Sequence, residues 1–166
     1  MDFLKIADTL KNKNYIGIDV ENRFYILLDA QNNELLIKYQ SHISKFELVL
    51  DSSNRLESYV HDLNPLAHDI IEFSEKPIVL MLPGAKNISD LAMQEHQTIN
   101  IRIVREGSLQ QVIRKYKLPL LLCLLNDEER AEIPEDSILN LSMQDAFMDA
   151  SIIKLEPNGR VEIIKK

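Results

Sequence analysis

A chain of 166 residues with 45% hydrophobic and 27% charged side chains has the balance of one soluble globular domain. Its 26 Asp and Glu against 19 Lys and Arg leave a formal net charge of -7, which excludes a general polyanion binder and leaves room for a local basic groove at most. A single cysteine, Cys123, excludes an intramolecular disulfide; together with a start that lacks the pattern of a secretory leader, it gives the expectation of a cytoplasmic protein.

Phe3, Leu4, Ile6, Ala7 and Leu10 recur at helical spacing behind Asp2 as a cap, with Lys11 and Lys13 suited to the helix end. The β-branched and aromatic runs 15–20 and 24–28 predict two strands around the polar Glu21-Asn22-Arg23. Residues 34–39 and 46–50 read as a third and a fourth strand, the latter bounded by Asp51-Ser52-Ser53-Asn54. Asn64-Pro65 predicts a helix start, since Asn accepts an orphan N–H and Pro supplies the helical φ; Leu66, Ile70, Ile71 and Phe73 then mark the buried side.

Further strands are predicted over 77–82 and over 99–104, where alternation sets Arg102 opposite to Ile101 and Ile103. Ser108-Leu109-Gln110-Gln111 has the spacing of a capping box for a helix towards Lys117. The apolar run 118–125 is interrupted by Pro119 and is far shorter than the roughly 20 residues that cross a bilayer, so it reads as a buried central strand and no membrane association is expected. The acidic stretch 126–132 reads as a solvated loop. Residues 152–155 and 161–164 flank Glu156-Pro157-Asn158-Gly159, a hairpin signal. Strands and helices mixed throughout, without repeat or linker, predict a single α/β domain (mixed, α+β) over residues 1–166.

The four glycines are scattered, so no phosphate-cradling loop or dinucleotide fingerprint is present. His42, His61, His68 and His96 are dispersed and stand beside no cysteine cluster; no metal site is expected. Cys123 among leucines reads as an inert core thiol. Lys38 and Lys45 flank a polar connection and suit phosphate as point charges, their ordinary role being solvation. Arg102, on the polar face of a strand, has the guanidinium geometry to clamp a carboxylate, with a surface ion pair as the ordinary outcome.

Taken in order, these segments resemble the YrdC/YciO-like family, best known for threonylcarbamoyl-adenylate synthases of tRNA threonylcarbamoyladenosine formation. Lys76-Pro77-Ile78-Val79-Leu80-Met81-Leu82-Pro83-Gly84 is similar to the family's "PLTLVLPG", Ile99-Asn100-Ile101-Arg102-Ile103 to "VGVRIP", and Leu118-Pro119-Leu120-Leu121 to the opening of "GPLVSTSAN". Asp149-Ala150-Ser151-Ile152-Ile153 with Gly159-Arg160-Val161-Glu162-Ile163-Ile164 resembles the closing "STVVD...VRILR", and the stretch from Ile16-Gly17-Ile18-Asp19-Val20 to Tyr25-Ile26-Leu27 stands where the family has "VAFPTDTVYGL".

The resemblance implies a YrdC-like twisted mixed sheet with flanking helices around a concave site. That site holds ATP with magnesium, threonine and bicarbonate in synthases and faces tRNA or double-stranded RNA in some descriptions. It also implies nucleotide or substrate contacts at Lys38, Arg102, Asn126 and Tyr25, with Ser151 next to the family's hydroxyl position. The departures fall on the same motifs. The family's Lys-x-Arg is Lys38-Tyr39-Gln40, "STSAN" is Leu122-Cys123-Leu124-Leu125-Asn126, and "PTDT" is Val20-Glu21-Asn22-Arg23. An arginine fork and several hydroxyls are absent, and leucine replaces neither. The expectation is a degenerate homologue that binds a nucleotide, RNA or a protein partner with weak or no synthase activity and no assigned catalytic residue. The alternative is an active threonylcarbamoyl-adenylate synthase.

Overall fold

The computed structural model describes residues 3–166; the expected cap Asp2 lies outside the described residues. Among them, nine strands form one mixed sheet: β1 (Tyr15–Val20), β2 (Arg23–Asp29), β3 (Glu47–Leu50), β4 (Ile78–Leu82), β5 (Ile99–Ile103), β6 (Leu120–Leu125), β7 (Ile138–Leu141), β8 (Ser151–Leu155) and β9 (Val161–Lys165). Their order is β7-β1-β2-β6-β3-β5-β4-β8-β9. The leucine run of β6 is flanked by β2 and β3, both antiparallel to it. This placement explains why β6 is apolar, since it meets packed layers on both faces of the sheet everywhere but at Leu124, which is exposed.

Alternation along the strands separates two cores. One face carries Phe24, Ile26, Phe46, Leu48 and Cys123, covered by α2 (Asn33–Lys38), the turn 53–58 and α3 (Leu66–Phe73) through Leu36, Leu56, Ala67 and Ile71. The other carries Ile16, Ile18, Tyr25, Leu27, Val49 and Leu122, covered by α1 (Phe3–Lys13) and α4 (Gly107–Tyr116) through Ile6, Leu10, Leu109, Val112 and Ile113. The architecture is therefore the expected mixed sheet between helical layers. No helix among the described residues is long and apolar enough to cross a membrane.

Several elements differ from the sequence reading, each for a local reason. The expected strand over 34–39 is the helix α2. Asn32 caps it by accepting from the Leu35 N–H, and of its apolar trio only Leu36 is buried, which is a helical and not an alternating demand. The capping box at Ser108 does not form: the cap position falls two residues earlier at Glu106, α4 begins at Gly107, whose φ of 88° suits glycine, and Gln110 donates to the carbonyls of Arg105 and Asp51. Asn64 does accept from the Leu66 N–H at 2.9 Å, yet α3 buries Ala67 and Ile71 while Leu66 and Phe73 stay exposed.

The central strand starts at Leu120, two residues after the exposed Leu118. The acidic stretch is no loop but a short helix, α5 (Asp127–Ala131), held by a capping box between Asn126 and Glu129. The hairpin β8–β9 forms as expected, with Gly159 at a φ of 88° in its turn.

Candidate functional site

Strand alternation places Tyr25 of β2, Leu122 and Leu124 of β6, Glu47 of β3, and Asn100 and Arg102 of β5 on the same side of the sheet. Arg102 is only 7% exposed, so its charge requires compensation inside the protein. Glu47 supplies it as a two-pronged clamp: Nε donates to Oε1 at 2.6 Å and Nη2 to Oε2 at 3.1 Å. The remaining Nη1 donates to the Met148 carbonyl at 2.9 Å and the Asp145 carbonyl at 3.5 Å. Arg102 thus forms a buried ion pair where a surface pair was expected.

The segment 145–149 lies across this side of the sheet. Tyr25 donates its hydroxyl to the Phe147 carbonyl at 3.3 Å, and its ring meets the Phe147 ring at 5.1 Å between centroids, tilted by 46°. Arg23 donates to the same carbonyl at 3.4 Å and pairs with Asp149 at 3.6 Å. The Tyr25 oxygen, and secondarily Asp149, raise the pKa of the Arg23 guanidinium further above its ordinary value. Phe147 is 2% exposed and anchors the segment in the core, whereas Met148 and Asp149 are exposed. At the carboxyl end of β5, a cavity of about 250 Å³ is lined by Lys76, Pro77, Ile78, Arg105 and Asp145, with Arg102 in its wall.

Lys38 and Asn126 belong to a second neighbourhood around α5. The Asn126 side chain accepts from the Glu129 N–H at 2.8 Å, and the Glu129 carboxylate accepts from the Asn126 N–H at 3.1 Å. Glu129 also contacts His42 Nε2 at 2.7 Å, and Lys38 pairs with Glu132 at 3.6 Å while lying 5.6 Å from the Tyr39 ring centre. Burial pushes the Tyr39 phenol up to about 12, reinforced by Glu132 and Glu129, and burial likewise pushes the Cys123 thiol up to about 12. Ser151 opens β8 opposite Ile78 and donates its N–H to the Pro77 carbonyl at 3.2 Å.

The five residues implied by the resemblance therefore fall into three places. Tyr25 and Arg102 meet through the segment 145–149, Lys38 and Asn126 meet through α5, and Ser151 stands at the start of β8. Two partners escaped the sequence reading. Glu47 was legible in principle, because alternation within 46–50 sets it apart from Phe46 and Leu48. Phe147 was not, since Asp145-Ala146-Phe147-Met148-Asp149 carries no periodicity. Among the described residues, no group of three or more His, Cys, Asp or Glu is placed to hold a metal ion.

No protein-family model matches the chain, and no curated protein matches it by sequence. Solved structures do. E. coli YciO superposes with a TM-score of 0.73 at 13% identity, over 99% of this chain and 90% of that one. P. abyssi Sua5 complexed with L-threonine gives 0.68 at 13% identity, over 93% of this chain and 52% of Sua5. Full-length HypF in its phosphate- and nucleotide-bound form gives 0.66 at 14% identity, over 98% of this chain and 28% of HypF. The chain spans about half of Sua5 and less than a third of HypF. It has the YrdC-like fold, as its ordered motifs had suggested.

Proposed function

We propose that the chain is a YrdC-like module, related to the proteins of tRNA threonylcarbamoyladenosine formation, that binds a nucleotide, RNA or a protein partner without making an adenylate. The observation that carries this reading is the Arg102–Glu47 clamp. The guanidinium that the resemblance assigns to a nucleotide or substrate contact is already bound, inside the protein, to a carboxylate of the chain itself.

Other features point the same way. Making an adenylate requires several phosphate charges to be neutralised as pyrophosphate leaves. On this side of the sheet Arg23 and Arg102 are both paired with carboxylates, and Leu122 and Leu124 stand where hydroxyls would grip a nucleotide. Lys38 is paired with Glu132, and Gln40 replaces the second cation. A magnesium triphosphate does not fit these residues as they are arranged. Removing one preorganised electrostatic contact commonly costs about 10² to 10³ in rate, and several are missing together.

The test is pyrophosphate release from the full chain given ATP, magnesium, threonine and bicarbonate, with P. abyssi Sua5 assayed beside it. Release no faster than in a protein-free control is expected. Release at a rate comparable to that of Sua5 would establish the synthase reading instead.

A further inference from the structure

We propose that residues 145–149 are a built-in plug that occupies the donors of Arg23, Tyr25 and Arg102 and gives way to a ligand bearing phosphoryl or carboxylate oxygens. This inference rests on reading that side of the sheet as a binding site without turnover. Three donors from two strands converge on the carbonyl oxygens of one five-residue stretch. Those oxygens are neutral acceptors, whereas a phosphoryl or carboxylate group offers a guanidinium charged oxygens that it can grip with two parallel bonds. Asp149 already stands as the anion beside Arg23.

The plug is held by side chains and not by strand pairing. It forms no strand of the sheet; one short turn over Asp145–Phe147, the buried Ala146 and Phe147, the Arg23–Asp149 pair and the side-chain bonds to its carbonyls retain it. Its other half, Met148 and Asp149, already faces solvent. Opening would release Nη1 of Arg102 while Nε and Nη2 stay on Glu47, so the donor set keeps its geometry when the plug leaves. Affinity measured on the closed protein is then the intrinsic affinity reduced by the fraction of molecules that are open.

Calorimetric titration of the full chain and of Phe147→Ala, with inorganic pyrophosphate in one arm and malonate in the other, tests this. Phe147→Ala should bind at least about tenfold tighter than the native chain in one arm, because removing the ring raises the open fraction. Tightening with pyrophosphate identifies phosphoryl oxygens as the class, and tightening with malonate identifies carboxylates. If Phe147→Ala does not fold, Phe147→Leu combined with Asp149→Asn keeps an apolar side chain in the core and carries the same comparison. A folded variant with unchanged affinity in both arms would overturn the plug. No ATP is present, so the result is independent of any synthase activity.

Discussion

Arg102 and Glu47 set the energetics of the site at the scale of single residues. Leaving one partner of a buried ion pair alone costs about 3 to 5 kcal/mol, whereas replacing both with apolar groups of similar size is often neutral or stabilising. Glu47→Ala should therefore lose about 3 kcal/mol, and Glu47→Leu with Arg102→Met should recover most of it, as read from urea midpoints. A cooperative loss of similar size in the double variant would count against the clamp as described. Part of the alkaline limb of stability has a different origin, in Cys123 and Tyr39. Both are held neutral by burial, so the folded pKa, about 12 for each, lies above the ordinary values of 9.0 and 10.0. Their contribution is complete below about pH 9 and is lost as pH rises towards 12, at up to about 1.4 kcal/mol per pH unit for each group. Cys123→Ala should flatten the fall in stability between about pH 9 and 11 in a denaturant series; an unchanged slope would show that the thiol does not contribute to it.

Elements were legible where a periodic signal ran long, and less so where a short apolar run met a cap. Residues 34–39 hold Leu35-Leu36-Ile37, which a strand and a helix accommodate equally; the deciding signal was Asn32, three residues ahead of the N–H it accepts. In α4 the cap position falls at Glu106 and not at the expected Ser108, because Gly107 takes a left-handed φ at the helix entry that is nearly free for glycine alone. The acidic stretch after β6 looked like a solvated loop because a five-residue helix leaves no hydrophobic stripe to read. Its capping box also gives Asn126 a structural task. Asn126→Ala should cost about 1 kcal/mol in thermal or denaturant unfolding with no ligand present. Unchanged stability would mean that the cap contributes nothing and that any importance of Asn126 lies in ligand contacts.

Across the whole molecule, the order of segments carried more information than any one of them. Each match to the YrdC-like motifs is short and apolar, yet their succession gave the fold that E. coli YciO and P. abyssi Sua5 share with this chain. The site was harder to read, because its contacts depend on pairing between strands far apart in sequence. Glu47 meets Arg102 only through the parallel register of β3 with β5, and Phe147 reaches Tyr25 across more than a hundred residues. The interleaved sheet order has one more implication. Because β6 fills the gap between β2 and β3, a polypeptide severed between Leu50 and Leu118 would leave two strands of its amino-terminal piece facing the same vacancy. Neither piece could close its apolar interior alone, and only their reassociation would restore a continuous hydrogen-bonded ladder.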